Sequence, residues 1–233
     1  MKLKLVKKQD EAKGTKSFFW EPEKPVTYLP GQFLYYTLPK LNYPDPRGET
    51  RHFTISSSPT EGPTLRLTTR IREESGYKKT LDELQIGAEI EGEGPNGTFV
   101  LNDDDLGPHV FLAGGIGITP FRSMFKYALD KNLPTQIYLI YSDSTEEDMA
   151  FKKELGEAAK TRPNIKIELV ITSKIGRIDE LLIKKLIGNW KLEIKNCIWW
   201  VSGPPAFVDA MQEILGKVGV TSNHLRAEKF TGY

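Results

Sequence analysis

His109-Val-Phe-Leu-Ala-Gly-Gly-Ile-Gly-Ile-Thr-Pro-Phe121 reads as a buried strand, a glycine turn and the first turn of a helix. Residues 110–113 form an apolar run too short for a helix and ended by glycine. Gly114, Gly115 and Gly117 lack a Cβ, so the chain can turn sharply and lie close to a ligand. Thr119 suits an N-cap and Pro120 the first helical position. Phe121, Met124, Phe125, Ala128 and Leu129 then recur at helical spacing. A helix N-terminus behind such a turn offers free N–H groups and the positive end of the helix dipole, a seat for phosphate. The spacing Gly115-x-Gly117-x-x-Pro120 puts proline where a dinucleotide fingerprint has its third glycine. Taken alone, the stretch is equally an ordinary strand-to-helix turn.

The surroundings narrow the choice. The chain has 233 residues, 39% of them hydrophobic and 27% charged, as in a globular protein of one large or two modest domains. With 32 basic residues against 31 acidic, no global field favours nucleic acid or an anionic membrane. One cysteine, Cys197, excludes an internal disulfide and a cysteine-ligated iron–sulfur cluster. No apolar run approaches the roughly 18 residues that span a bilayer, and Met1-Lys-Leu-Lys-Leu-Val-Lys-Lys8 alternates like a strand, unlike a signal peptide. No integral membrane segment and a cytoplasmic location are expected. So is the absence of a metal site, since His52, His109 and His224 form no evident cluster.

Before the glycine turn the signals are β-like. Residues 2–6, 17–20, 32–38, 64–71, 88–92 and 98–101 read as short strands, and residues 39–48, with three prolines, as a loop. One helix, at 77–85, interrupts them. Such a pattern predicts a closed antiparallel barrel. Within it, Arg51-His-Phe-Thr-Ile-Ser-Ser-Ser-Pro59 puts a cation, an aromatic ring and hydroxyls within four residues, the chemistry a flavin requires. Thr69-Arg-Ile-Arg-Glu-Glu-Ser-Gly-Tyr-Lys-Lys-Thr80 runs from a strand into a helix whose first turn carries Lys78 and Lys79. Cations there oppose the helix dipole, and either a bound anion offsets them or solvent screens them. Thr69, Ile71, Tyr77, Lys78, Lys79 and Thr80 are the candidate contacts.

The acidic stretch Asn102-Asp-Asp-Asp-Leu-Gly-Pro108 marks a boundary, giving a β-barrel domain at 1–104 and an α/β domain at 105–233. Beyond it, strands at 110–113, 136–142, 165–171, 197–202 and 224–230 alternate with helices near 120–130, 147–160, 178–187 and 205–217. That order predicts a Rossmann-like parallel sheet whose ligands sit at the C-terminal strand ends. Those ends carry Ser142 and Asp143 for a ribose, Arg177 for an adenosine phosphate, and Ser202-Gly203-Pro204-Pro205 for an anion or nicotinamide. Asp143 favours NADH, because a carboxylate repels a 2′-phosphate; Arg177 and the serines allow NADPH.

These residues together resemble the ferredoxin–NADP reductase-like flavoproteins over nearly the whole length. The segments that carry the resemblance come in order: Arg51-His52-Phe53-Thr54, residues 75–80, Gly94-Pro-Asn-Gly-Thr-Phe99, Gly114-Gly-Ile-Gly-Ile-Thr-Pro120, Ser202-Gly-Pro-Pro205 and Glu228-Lys-Phe-Thr-Gly-Tyr233. The resemblance implies an N-terminal flavin-binding β-barrel followed by a pyridine-nucleotide domain. It implies that Arg51 contacts flavin phosphate, Phe53 stacks on the isoalloxazine, and Thr54 faces its N5 beside His52. Residues 75–80 would cradle the pyrophosphate, which favours FAD over FMN. Gly115, Gly117, Thr119, Pro120, Gly203 and Pro204 would bind NADPH or NADH. Ser202 would stand beside the nicotinamide and Glu228 near the flavin's reactive edge, and Tyr233 would cover the flavin's other face. Phe53 stands where the family has Tyr, and Ser202 where many members have Cys. The implied activity is hydride transfer from NAD(P)H to FAD, then electron transfer to a ferredoxin, another redox protein or a small-molecule acceptor. A free-flavin reductase or diaphorase, and a nucleotide-sensing module without turnover, are the alternatives.

Overall fold

The computed structural model describes residues 1–105 and 107–231. The chain divides into two compact units, Met1–Leu101 with Arg122–Lys131 and Asn102–Phe121 with Asn132–Tyr233.

The first unit holds β1 (Lys2–Ala12), β2 (Thr15–Pro22), β3 (Phe33–Thr37), β4 (Thr50–Thr54), β5 (Leu65–Arg70), α1 (Gly76–Glu83) and β6 (Glu89–Asn96). The strands pair antiparallel in the order β4-β3-β6-β1-β2-β5. A bridge from Ile55 to Leu67, and the Ser56 N–H bonding to the Arg66 carbonyl at 2.7 Å, join the end of β4 to β5 and close the sheet. Alternation explains the interior: Leu3 and Leu5 face in while Lys2 and Lys4 face out, and Phe18, Trp20, Leu34 and Tyr36 complete the buried centre. Two expectations change here. β1 runs to Ala12, because its charged half pairs with β2 up to Ala12↔Thr15 around a two-residue turn. Residues 98–101 form no strand; Phe99 and Leu101 are buried, but Leu101 is tied by its N–H to the Pro30 carbonyl, outside any ladder.

The second unit holds β7 (His109–Gly114), α2 (Ile118–Asp130), whose C-terminal part belongs to the first unit, and β8 (Ile137–Asp143). There follow α3 (Lys152–Thr161), β9 (Ile165–Ile171), α4 (Thr172–Ile175), α5 (Glu180–Trp190), β10 (Ile198–Gly203), α6 (Pro205–Lys217) and β11 (Leu225–Lys229). The sheet is parallel, in the order β11-β10-β7-β8-β9. Every residue of β7 and β8 is buried, as central strands of a two-sided sheet require. One face carries Val110, Leu112, Ile140, Trp199 and Val201 against Ile183, Val208, Met211 and Leu215 of α5 and α6. On the other face Phe111 stacks on Phe121 at 4.6 Å. The chain builds outward from β7 to β9, then returns to place β10 on the far side of β7. The topological switch point therefore lies between β7 and β10.

Candidate functional site

At that switch point the glycine turn is a 3₁₀ turn, Gly115–Gly117, running straight into α2. Gly115 has φ +54°, which favours glycine. Gly117 has a different reason: a Cβ there would lie 2.2 Å from the Ser202 carbonyl oxygen and 2.6 Å from the Gly203 Cα. The missing side chain lets the end of β10 press against the start of α2. Thr119 is no N-cap, as its position in the sequence suggested. It lies inside the first turn and its hydroxyl donates to the Ile116 carbonyl at 3.0 Å, because the 3₁₀ turn has already started the helix. Pro120 is buried in the same turn.

The strand register lines up the predicted residues. Ser202 pairs with Glu228 of β11 on one side and Ala113 of β7 on the other, and Gly114 pairs with Ser142 of β8. Four neighbouring strands thus present Glu228, Ser202, the glycine turn and Ser142 along one edge. Ser202 Oγ and Glu228 Oε2 are buried with no hydrogen-bond partner among the described residues. Burial without a counter-charge pushes the Glu228 carboxyl up to about 7. Two adjacent buried polar groups without partners among the described residues are costly in a folded protein and call for a partner from a ligand or from water. Asp143 is buried and accepts the Ser144 N–H at 2.8 Å. The Ser173 N–H bonds to the Ser144 carbonyl, which draws the 172–177 segment to the end of β8; Arg177 there is exposed, as is Pro204 at the end of β10. Burial pushes the Cys197 thiol up to about 11, the mark of a packing residue.

In the first unit the flavin-like segment behaves differently. Arg51 and Phe53 point inward and are 8% and 2% exposed. Phe53 packs between the rings of Tyr36 and Tyr77, each 6.0 Å away. The Arg51 guanidinium pairs with Asp45 and donates to the carbonyls of Arg47, Gly48 and Thr50 at 2.7–2.9 Å. Thr54 is buried and His52 half-buried, its pKa held low by burial and by Arg47. Thr69 is buried within β5, and the Ile71 N–H goes to the Gly14 carbonyl. Tyr77 donates its hydroxyl to the Tyr36 carbonyl, Thr80 to the Gly76 carbonyl, and Lys79 pairs with Glu73. Lys78 is 3% exposed, and burial followed by the charges of Arg72, Arg47 and Arg70 pushes its amine down to about 7, against an opposing pull from Glu74. A buried amine under the combined charge of Arg72, Arg47 and Arg70, with Glu74 opposing, suits a multiply charged anion, and the diphosphate of FAD is one. The sequence reading missed Asp45, Arg47, Arg70 and Arg72. The opposite charges of Asp45-Pro-Arg-Gly48, four to six residues before Arg51, signalled the first two, and Arg70 and Arg72 stand inside the Thr69–Thr80 stretch. Tyr233 lies outside the described residues.

Comparison with known proteins agrees with both halves. The family model described as oxidoreductase FAD-binding domain matches residues 2–101, and that of oxidoreductase NAD-binding domain matches residues 111–213. Flavohemoprotein A of Dictyostelium discoideum is 26% identical across 96% of this chain and 58% of its own length. The glycine betaine monooxygenase reductase subunit of Chromohalobacter salexigens is 25% identical across 98% of this chain and 63% of its own. The chain therefore spans about three fifths of these relatives. The ferredoxin–NADP⁺ reductase of Plasmodium falciparum superposes with a TM-score of 0.79, at 22% identity, over 98% of this chain and 95% of that one. The two family matches together cover most of the chain, which belongs to the ferredoxin–NADP reductase-like family and carries an FAD-binding and an NAD-binding oxidoreductase domain.

Proposed function

We propose that this chain takes hydride from NADH or NADPH and passes electrons to a separate redox protein. The observation that carries this reading is the pair of unsatisfied groups, Ser202 Oγ and Glu228 Oε2, side by side at the C-terminal edge of the parallel sheet. FAD, when bound, supplies the hydride acceptor and the step from paired to single electrons. The protein's part is positioning. The N–H groups at the start of α2 hold phosphate, and Ser142 and Asp143 take ribose hydroxyls. Ser202 offers a hydroxyl to the nicotinamide end, and Glu228, ionising near neutral pH, holds or releases a proton beside the reacting rings. In the barrel, Lys78 with Arg70 and Arg72 balances the diphosphate, while Phe53, packed between Tyr36 and Tyr77, supports the strand rather than stacking on the isoalloxazine.

Relatives named as reductase subunits and electron transfer components of oxygenases support a protein acceptor. The test is the visible spectrum of the FAD-loaded protein under anaerobic NADH, then NADPH, followed by added acceptor. Bleaching by one donor and reoxidation by a ferredoxin or haem protein is the expected result. Faster turnover of free flavin than of any protein acceptor would make it a flavin reductase. Binding without bleaching would make it a sensor.

A further inference from the structure

The barrel already holds an anion where the resemblance puts the flavin diphosphate. Asp45 Oδ2 accepts the Tyr77 N–H at 3.0 Å and the Ser75 hydroxyl at 3.1 Å, while its Oδ1 takes the Arg51 guanidinium. One carboxylate thereby fills two seats at once: the N-terminus of α1 and the charged fork of β4. Both side chains are nearly inaccessible, 5% exposed for Asp45 and 8% for Arg51. The backbone follows. The carbonyl oxygens of Pro44 and Tyr43 stand 2.4 and 2.5 Å from where a Gly76 Cβ would be, so nothing fits between this segment and the helix start. Further along α1, the Asn42 N–H bonds to Thr80 Oγ1, and the Asn42 amide and the Tyr43 hydroxyl both bond to Glu83.

We propose that Asp45 is an internal competitor for the flavin diphosphate, and that FAD binds by displacing residues 42–48 from α1. This rests on the flavin reading given above. A guanidinium and a helix N-terminus donate to carboxylate or phosphate oxygens through the same N–H groups. They do not serve both anions, because the like charges repel and the donors are already taken. The latch that holds the segment, Asn42 and Tyr43 on Glu83, is exposed and breaks at little cost. Apparent FAD affinity is then the intrinsic affinity reduced by the fraction of molecules in which Asp45 has left.

The experiment titrates apoprotein with FAD by quenching of flavin fluorescence, and melts the same apoproteins without FAD. Asp45→Asn removes the competing charge. The expected result is FAD affinity higher by about tenfold together with a lower melting temperature of the apoprotein, because Arg51 and the Tyr77 N–H lose their anion. Tyr43→Phe weakens only the latch, leaves Arg51 paired, and is expected to tighten FAD more modestly, which keeps the test decisive if Asp45→Asn folds poorly. Unchanged or weaker FAD binding in both variants, with normal binding by the unaltered protein, would overturn the displacement alone and leave Asp45 a fixed part of the cradle. Failure of all three proteins to take up FAD would overturn the flavin reading and this proposal with it.

Discussion

At the scale of single residues, Glu228 is the group whose chemistry is most exposed to test. Its carboxyl ionises near 7 when folded and near the ordinary value of about 4.3 when unfolded. Below the lower value it is neutral in both states and has no effect. Between the two the unfolded chain releases its proton first, so stability falls as pH rises, and above about 7 the full cost of a buried charge is present. Glu228→Gln is therefore expected to match the natural protein near pH 4 and exceed it at pH 8, by about 3 kcal/mol at most. Urea unfolding at the two pH values reads this; an unchanged difference would put the carboxylate in solvent. The same variant should flatten the pH dependence of flavin reduction near neutrality, since the proton it removes is the one titrating there.

At the scale of elements, the turn between β7 and α2 and the pairing of β7 with β10 fix the nucleotide edge. Gly117→Ala drives a methyl group into the Ser202 carbonyl, so β10 and α2 must separate. The expected loss is about 1–3 kcal/mol in stability, with weaker retention of NAD(P)H measured by equilibrium dialysis. Retained affinity would show that the strand end yields freely. The opposite end of the same strands is pinned by His109. The Trp200 indole donates to His109 Nδ1 at 3.1 Å, which leaves Nε2–H to donate to the Asp105 carbonyl at 2.8 Å. Burial holds its pKa below the usual histidine value, against the raising effect of Asp105. The sign follows: the neutral ring stabilises fully above the unfolded value of about 6.5, and stability is lost as pH falls below it. Melting temperature should drop between pH 7.5 and 5.5, and His109→Gln should melt lower at pH 7.5 but lose that slope. An identical slope would assign the titration to another group.

The elements around this edge were legible in the sequence because most obey a local rule: four largely apolar strands, glycine at the switch point, proline at the start of α6. The cofactor face of the barrel was less so. Arg51 is read as a contact for flavin phosphate, and the anion it meets in this structure is Asp45, six residues back in a loop read only as proline-rich. Loop conformation decides that pairing, and no periodicity encodes a loop. Residues 98–101 failed for the opposite reason. Their alternation is real, yet it records burial of Phe99 and Leu101 without a partner strand.

At the scale of the molecule, sequence order and structural unit part company at α2. The matched FAD-binding family ends at residue 101, and the change in sequence pattern suggested a boundary near 104, yet Arg122–Lys131 belongs with the first unit. Those residues supply what the barrel's 56–61 segment cannot satisfy alone. Arg122, 4% exposed, pairs with Glu61 and donates to the Ser56 carbonyl at 2.9 Å, and Ser123 donates its hydroxyl to the Ser57 carbonyl at 2.7 Å. Asp130 accepts from Thr60. A fragment of residues 1–104 has every strand of the barrel but strips Glu61 of its cation and the Ser56 carbonyl of its donor, leaving Glu61 only the Ser58 N–H and the Ser57 carbonyl only the Tyr28 hydroxyl. Breaking a buried ion pair by removing one partner costs about 3–5 kcal/mol, a large share of the 5–15 kcal/mol that holds a domain together. Residues 1–104 should therefore show a broad, low-temperature transition and weak near-ultraviolet dichroism, while Arg122→Ala in the full chain should lower stability by a comparable amount. A sharp, native-like transition in the fragment would mean that the six strands suffice, and that Arg122–Lys131 adds contact without adding cooperativity.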